Sequence, residues 1–272
     1  MRAALILAAV LIALPASGAE VLLGGKIEQG GLLVGTAPAG AQITLGDRKI
    51  KVGADGRFIA GFDRDAPATA TLTITVPGEA PDVRKIDVAK RAWEIERVNG
   101  VPQQLVTPDP EMEARIAAEQ KLLNAARAKN EPRPLFESGF IKPVEGRKSG
   151  SFGSQRVLNG TPRAPHAGWD IAAPIGTPVH ASADGVVSLA KEMLVMTGDT
   201  VMINHGFGLQ TMYIHMSKIL VADGQAVKQG DVIGEVGMTG RANGPHLHFA
   251  ASWFNARLDA ETLLAALPAP PR

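Results

Sequence analysis

The sequence predicts a mainly β protein with a small N-terminal β domain, a helical connector and a larger C-terminal β domain. Its 272 residues include 30 glycines and 19 prolines but a single tyrosine, a composition typical of turn-rich β folds. Short segments with strand-like alternation fill residues 20–100, and a glycine-punctuated β pattern follows Phe136. Between them lies one stretch with helical periodicity. We therefore expect domains at residues 20–104 and 135–272, joined by a linker at 105–134.

The first 19 residues have the features of a secretory signal peptide. Arg2 supplies a basic start, an apolar run extends from Ala3 to Leu14, and small residues precede a cut after Ala19. The alternative is an uncleaved membrane anchor. The apolar run argues against it, because the run is shorter than the roughly 20 apolar residues of a transmembrane helix. We expect an exported protein, periplasmic or secreted, whose formal net charge falls from +1 to 0 when Arg2 is removed.

Composition narrows the chemistry that the mature chain can perform. The hydrophobic content of 45% and charged content of 20% are those of an ordinary globular protein. A net charge of +1 gives no overall field that would attract nucleic acid, so we expect no nucleic-acid partner. Cysteine is absent, which excludes disulfides and thiolate ligands and leaves histidine, aspartate and glutamate as metal ligands.

The N-terminal strands and the connector have separate signals. Alternation around Ile43, Ile59 and Ile74 predicts a small β-sandwich-like module, for which we expect a packing or positioning role. Asp109 and Pro110 predict the start of an amphipathic helix. Its predicted apolar face comprises Met112, Ile116, Leu122, Leu123 and Ala126. Its charged residues, which include Arg127, are interpreted as a solvated face.

The six histidines all lie between residues 166 and 248, within the predicted C-terminal domain. Residues two apart on a strand share a face, so His246 and His248 point into one space. His166 precedes Asp170 by four residues, with small residues between them that let the chain turn. Together with His248 they offer two nitrogens and one carboxylate oxygen, a set that suits tetrahedral zinc with water as fourth ligand. His246 and His215 are the candidate proton acceptors beside that water.

Several of these motifs together resemble the M23 family of zinc metallopeptidases, of the lysostaphin or LytM type. The motifs are His166-x-x-x-Asp170, Tyr213-x-His215, Gly237-x-Thr239-Gly240 and Gly244-Pro245-His246-Leu247-His248-Phe249. The resemblance covers about residues 135–260 and implies an antiparallel β fold with a groove on one face of its sheet. It implies cleavage of peptide bonds in the cross-links or bridges of bacterial peptidoglycan. It further implies one Zn²⁺ per chain on His166, Asp170 and His248, with His215 and His246 as catalytic histidines whose separate roles stay open.

Two other classes of function compete with a peptidase. Inactive relatives that bind cell wall or activate a partner hydrolase lose ligands or catalytic histidines, whereas this chain keeps all five matching residues. A biotinyl or lipoyl carrier domain would explain the rhythm from Gly224 to Gly234, but Lys228 lacks the Met-Lys context and the histidines stay unexplained. We therefore expect a zinc endopeptidase that acts on peptide cross-links, with the inactive relative as the alternative.

Two other histidines and two residues before His166 are also assigned roles from the sequence. His205 is predicted to be a hydrogen-bonded turn histidine near the groove, and His180 to be structural. Arg156 and Asn159 are candidates for lining the substrate groove, because loops often carry such contacts. The sequence leaves open whether the N-terminal domain blocks the groove until a regulatory protein partner or a cleavage frees it. It also leaves the oligomeric state open.

Overall fold

A computed structural model describes residues 21–100 and 103–270 of the chain. The mainly β class predicted from the sequence is confirmed. The predicted signal peptide, residues 1–19, lies outside the described residues. Within the described ranges, no helix combines the length and the hydropathy needed to cross a membrane.

The N-terminal part consists of two antiparallel sheets that share one core. Its strands are β1 (Leu22–Lys26), β2 (Leu32–Thr36), β3 (Gln42–Leu45), β4 (Arg48–Ile50), β5 (Arg57–Gly61), β6 (Thr69–Thr75), β7 (Asp82–Asp87) and β8 (Ile95–Val98). One sheet has the order β1-β2-β5 and the other β4-β3-β6-β7, whereas β8 belongs to neither of them. Alternating residues of both sheets, such as Leu33, Phe58 and Ile74, are fully buried between them, as the alternation in the sequence predicts.

Three helices and a 3-10 turn accompany the strands in the described ranges. They are α1 (Gln103–Val106), α2 (Pro110–Ala128), the 3-10 turn Leu135–Ser138 and α3 (Ala260–Ala266). Helix α2 begins as predicted, because the Asp109 carboxylate accepts a hydrogen bond of 2.8 Å from the Met112 amide and Pro110 is the first helical residue. Its inner face carries Leu123, Ala126 and Arg127, which are buried.

The prediction that Leu122 belongs to the inner face is wrong, since this side chain is 38% exposed. Leu123 occupies the helical stripe that packs on the sheet, and the adjacent residue points about 100° away from it. The expected solvation of Arg127 is wrong as well: only 7% of this residue is exposed. The Gln210 side-chain amide of the sheet donates to the carbonyls of Ala126 and Lys129 at 3.2 and 3.0 Å, which fixes the end of the helix over the sheet.

The C-terminal part is built on one large, mostly antiparallel sheet. The strands of this part are β9 (Arg147–Gly150), β10 (Gln155–Leu158), β11 (Thr161–Pro162), β12 (Trp169–Ala172), β13 (Pro178–His180), β14 (Gly185–Leu194), β15 (Gly198–Gly206), β16 (Leu209–Ile219), β17 (Ala226–Val227), β18 (Val232–Val236), β19 (His246–Trp253) and β20 (Ala256–Leu258). Strands β10 and β11 lie outside the large sheet and form a small sheet with β8. The main path is β17-β14-β15-β16-β19-β12-β9, with β13, β18 and β20 attached at its sides. One face of this sheet packs into the core through residues such as Leu247 and Phe249, and the other carries the histidines and helix α2.

The N-terminal and C-terminal parts pair and pack directly against each other. Strand β8 pairs in parallel with β10, so residues 95–98 extend a small sheet of the C-terminal part. The Arg91 guanidinium forms an ion pair of 2.9 Å with Asp259, and the Asp259 amide donates to the Gly30 carbonyl at 2.7 Å. A Cβ on Gly61 would lie 2.7 Å from Cβ of Trp253, so the backbone of β5 touches the C-terminal core directly. The domain bounds derived from the sequence stay a prediction.

Candidate metal centre

Two neighbouring strands bring a carboxylate and two imidazoles to one face of the large sheet. In the antiparallel register of β12 and β19, Asp170 lies opposite His248 and Ala172 lies opposite His246. Directly opposed residues share a face, so Asp170 and both histidines project to the same side, as the spacing of the two histidines predicts. Leu247, between them, is fully buried on the other side. The alternation of the strand therefore separates the site from the core.

His166 reaches the same point from the loop before β12. Its amide donates to the Ser154 carbonyl at 2.8 Å, which holds the loop against the sheet. Gly168 lies between His166 and the strand, and a Cβ there would stand 2.5 Å from His248 Nε2 and 2.7 Å from the Phe249 carbonyl oxygen. A side chain at Gly168 would displace His248, so the loop needs glycine to approach the site this closely.

The three side chains converge at short distances. Nε2 of His166 lies 3.0 Å from Oδ1 of Asp170 and 2.8 Å from Nδ1 of His248, and this Nδ1 lies 2.7 Å from the same carboxylate oxygen. All three residues are buried. They form a compact set of two nitrogens and one oxygen that could hold a metal ion.

The hydrogen bonds around this set fit a bound cation. Nδ1 of His166 lies 2.9 Å from the Ser151 carbonyl oxygen, so in the neutral ring this nitrogen carries the proton and Nε2 presents a lone pair. That lone pair faces a carboxylate oxygen and a second imidazole nitrogen. A proton on His248 Nδ1 can be donated to only one neighbour, either His166 Nε2 or Asp170 Oδ1. The lone pairs that stay without a proton repel each other unless a cation lies between them. Two nitrogens and one carboxylate oxygen are a ligand set that zinc accepts.

Two further histidines stand beside this set. His215 Nδ1 lies 2.7 Å from the Thr239 carbonyl oxygen, and His246 Nδ1 lies 2.8 Å from the Gly244 carbonyl oxygen. Each carbonyl accepts the Nδ1 proton, which leaves Nε2 of the neutral ring as the free acceptor. The ring centroids of His215 and His246 are 4.8 Å apart, and that of His215 is 6.1 Å from His248. The structure thus brings all five histidine and aspartate residues singled out in the sequence together.

The backbone at His215 is unusual and decides where its side chain points. Pairing of β16 with β19 ends at Ile214, and pairing with β18 begins at Met216. His215, at the switch, has a φ of 63°, which non-glycine residues seldom adopt. Regular alternation would place His215 on the core side together with Tyr213. The left-handed conformation turns the imidazole to the metal-site face instead, a local strain of the kind that functional sites retain.

Burial shapes the ionisation of the site. It lowers the pKa of His215 to about 3, with the nearby charges of His248 and His246 acting in the same direction. It also lowers the pKa of His248 to about 4, against the opposing effect of Asp170. Burial alone would raise the pKa of Asp170, but hydrogen bonds to His166 and His248 hold it well below its usual range. At neutral pH the site therefore has neutral His215 and His248 rings and an ionised carboxylate.

The second oxygen of Asp170 has a partner of its own. The Arg156 guanidinium lies 2.7 Å from Asp170 Oδ2 and 3.2 Å from Glu96 Oε2. Glu96 belongs to β8 and also accepts a hydrogen bond of 3.0 Å from Ser154. The N-terminal part therefore supplies one member of the polar chain that fixes the carboxylate. Nothing local in the sequence marks Glu96, because its role depends on the parallel pairing of β8 with β10.

Two cavities adjoin the convergence of these residues. One of about 170 Å³ is lined by Glu96, Val98, Arg156, Asp170 and His246, with the 241–243 loop. The other, of about 250 Å³, is lined by His166 and His248 together with side chains of α2 and β20. His215, Arg156 and Arg241 line both. Arg156 thus contacts the groove region as predicted, but the predicted loop is wrong at this residue, because Arg156 belongs to strand β10, which pairs with β8.

The other candidates lie elsewhere. Asn159 forms the turn between β10 and β11 with Gly160, both at positive φ, as in a tight Asn-Gly hairpin. His180 Nδ1 lies 2.9 Å from the Gly230 carbonyl oxygen.

The expectation of a turn near the groove is wrong for His205. This residue belongs to strand β15, is fully buried and is hydrogen-bonded to the Asp184 carbonyl at 2.7 Å. Its ring packs against Phe140 of the core instead.

Comparison with known proteins gives consistent matches. Residues 164–260 match the model described as peptidase family M23. The peptidoglycan DD-endopeptidase ShyA of Vibrio cholerae is 49% identical over 104 residues, which are 38% of this chain and 24% of that protein. The DD-carboxypeptidase/endopeptidase Mpg of Neisseria meningitidis is 52% identical over 86 residues, which are 32% of this chain and 20% of that protein. This chain thus spans a quarter or less of the length of these curated relatives.

A solved structure from Pseudomonas aeruginosa also aligns with this chain outside residues 164–260. It is described as a peptidase M23 from Pseudomonas aeruginosa and aligns with a TM-score of 0.70 at 29% sequence identity. The alignment covers 89% of this chain and 97% of that one. The similarity of fold therefore includes the N-terminal strands as well as the large sheet.

Proposed function

We propose that the chain is an exported zinc metalloendopeptidase that hydrolyses peptide cross-links of bacterial peptidoglycan. The match of residues 164–260 to the model of peptidase family M23, which the sequence motifs predict, supports this proposal. The observation that carries this proposal is the convergence of His166, Asp170 and His248 within 3.0 Å of one another, with a lone pair of His166 directed into the set. The names of the relatives, a DD-endopeptidase and a DD-carboxypeptidase/endopeptidase, support peptidoglycan as substrate.

In this proposal His166, Asp170 and His248 hold one Zn²⁺. A zinc ion in such a site polarises a peptide carbonyl and lowers the pKa of a water molecule towards neutrality. The Ser151 carbonyl fixes the ring of His166, and Arg156 fixes the second oxygen of Asp170. These contacts leave one nitrogen of His166 and one oxygen of Asp170 directed into the space between the three side chains, where they would hold the ion.

We assign His215 as the group that accepts the proton of the attacking water. Its Nδ1 proton is held by the Thr239 carbonyl and burial keeps the ring neutral, so Nε2 is ready to accept. His246 faces the same space, with Nε2 3.7 Å from Asp170 Oδ1. We assign it as the donor that, when protonated at Nε2, stabilises the developing oxyanion of the peptide carbonyl. Attack of the water forms a C–O bond at the peptide carbonyl, and when the C–N bond breaks, the proton that His215 accepted from the water passes to the leaving amine.

The test combines metal content with hydrolysis of purified peptidoglycan. We expect about one zinc per chain in the wild type, measured by elemental mass spectrometry, and release of cross-linked peptides as monomers. His248→Ala should lose both zinc and activity. His215→Ala should keep zinc and lose about 10²–10⁴-fold in kcat, the range for removal of a general acid or base.

A matched control is His180→Ala, which removes a histidine of the same domain whose ring bonds to the Gly230 carbonyl. This variant should keep zinc and activity. Loss of zinc in His215→Ala would contradict the assigned roles. A zinc-loaded wild type that leaves the cross-links intact would contradict the proposed function and favour an inactive, cell-wall-binding relative.

A further inference from the structure

The cavity of about 250 Å³ beside His166 and His248 is lined by several arginines from distant parts of the chain. Arg127 comes from α2, Arg241 from the loop before β19, and Arg257 from β20. Burial lowers the pKa of Arg127 to about 9 and that of Arg241 to about 10, and it lowers the pKa of Arg257 too. The cavity therefore concentrates positive charge in a poorly hydrated place.

Arg127 is the most deeply buried of these residues, with 7% of its surface exposed. One of its terminal nitrogens donates to the Asn124 side chain at 2.9 Å, and the other lies 3.8 Å from the sulfur of Met212. Among the described residues no carboxylate lies within ion-pair distance of this guanidinium. A buried charge without a counter-ion is costly, so the fold maintains an unfavourable arrangement here.

The neighbouring arginines do not relieve this cost. The charge of Arg257 adds to the effect of burial on Arg127, and the charges of Arg156 and Arg163 act likewise on Arg241. Asp63 partly offsets burial at Arg257, but within the described ranges neither Arg241 nor Arg257 forms an ion pair. Arg156 differs, since Glu96 and Asp170 neutralise it. The excess positive charge thus belongs to Arg127, Arg241 and Arg257, and an anion would balance it.

The place and size of the cavity indicate what that anion is. His166 and His248 form one wall, so an occupant lies next to the metal. Helix α2 covers the sheet on this side through Leu123 and Ala126, which limits the space to a small group. Guanidinium groups bind carboxylates through paired, charge-assisted hydrogen bonds. From these features we propose that the cavity is a subsite for a carboxylate of the peptide substrate, held by Arg127, Arg257 and Arg241. This inference rests on the proposed function.

The test uses three forms of one soluble cross-linked peptide from peptidoglycan. The first has all its carboxylates free, the second has its C-terminal carboxylate amidated, and the third has its internal carboxylates amidated. We expect the zinc-loaded wild type to cleave the free form with a kcat/KM about 10- to 100-fold above that of one amidated form, as for loss of a hydrogen-bonded charged group. The form that loses activity identifies the carboxylate.

Variants connect this preference to the cavity. In Arg127→Gln the discrimination between free and amidated forms should disappear, because kcat/KM for the free form should fall. Arg257→Gln, at a partly exposed residue of β20, should reduce the discrimination as well and carries the test if Arg127→Gln does not fold. Arg115→Gln on the same helix removes a guanidinium that pairs with Glu119 at 2.8 Å, and it should keep the discrimination.

The outcomes separate the two proposals. Equal cleavage of all three peptides by the wild type would overturn the carboxylate subsite and leave the proposed function standing. Unchanged discrimination in a folded Arg127→Gln and in Arg257→Gln would also overturn the subsite. Failure of the zinc-loaded wild type to cleave any of the peptides would overturn the proposed function, and the ligand assigned to the cavity with it.

Discussion

Acidification is expected to destabilise this protein through His205, which lies outside the candidate metal centre. The ring is fully buried, its Nδ1 proton is held by the Asp184 carbonyl at 2.7 Å, and its Nε2 lies 2.7 Å from the Thr211 hydroxyl. With Nδ1 protonated, Nε2 of the neutral ring accepts from the Thr211 hydroxyl, whose oxygen also lies 3.1 Å from the Tyr213 hydroxyl. A protonated ring would break this chain of hydrogen bonds. Burial accordingly lowers the pKa of His205 to about 4.

The size of the effect follows from linkage. The pKa of an unfolded histidine is about 6.5, so between pH 6.5 and pH 4 the unfolded state binds a proton that the folded state does not. Stability therefore falls as the pH falls through this window. At pH 5 the titration of His205 lowers the free energy of unfolding by about 2 kcal/mol. The full effect, about 3 kcal/mol, is reached once the pH falls below the pKa of His205 in the folded state.

The assay is urea unfolding of the wild type and of His205→Gln at pH 7 and pH 5. Glutamine keeps hydrogen-bonding capacity but cannot titrate, so the variant should lose about 2 kcal/mol less than the wild type between the two pH values. The buried histidines of the metal centre titrate in both proteins and cancel in this difference. Equal losses in the two proteins would refute the reasoning, as would an NMR titration of the wild type in which the His205 ring is charged at pH 5.

Two further predictions concern close contacts. Gly168→Ala should prevent stoichiometric zinc binding while the far-ultraviolet circular dichroism stays native, because the added Cβ would stand 2.5 Å from His248 Nε2; a variant with full zinc content would contradict the tight approach of this loop. Tyr213→Phe should lower the free energy of unfolding by about 1–3 kcal/mol, because the buried Ser182 amide loses the phenol oxygen 2.9 Å away. Zinc binding should persist in Tyr213→Phe, and a stability within 0.5 kcal/mol of the wild type, measured by urea unfolding, would contradict this account.

Strand alternation explains why much of the candidate site could be predicted from the sequence. The pattern around His246 and His248 fixes which side chains face the core, and the antiparallel register then sets Asp170 opposite His248. His215 shows where such a pattern fails. Alternation assigns it to the face of Tyr213, and only the positive φ at the switch between two partner strands brings it to the metal centre. The residue types around His215 do not predict a positive φ at this position.

The residues missed by sequence reasoning share a physical cause. Glu96 acts through a strand pairing between segments far apart in the chain, and Arg127 looks like any charged residue of an amphipathic helix. Helical periodicity identifies the apolar stripe that contains Leu123, but it cannot show that the sheet beneath is wide enough to bury the flanking arginine. Burial of a charge is a property of the assembled layers, which local patterns do not contain.

The parallel pairing of β8 with β10 has a consequence for how the chain reaches its native state. The partners Ile95 and Gln155 are 60 residues apart, and the contact between the Asp63 carboxylate and the Arg257 amide spans 194 residues. Loops of this length must close before either contact contributes, which makes folding slow relative to chains with mostly local contacts. Because these contacts join the N-terminal and C-terminal parts, we expect the two parts to melt in one cooperative transition. We also expect a chain shortened to the C-terminal part to expose the edge of β10 to aggregation.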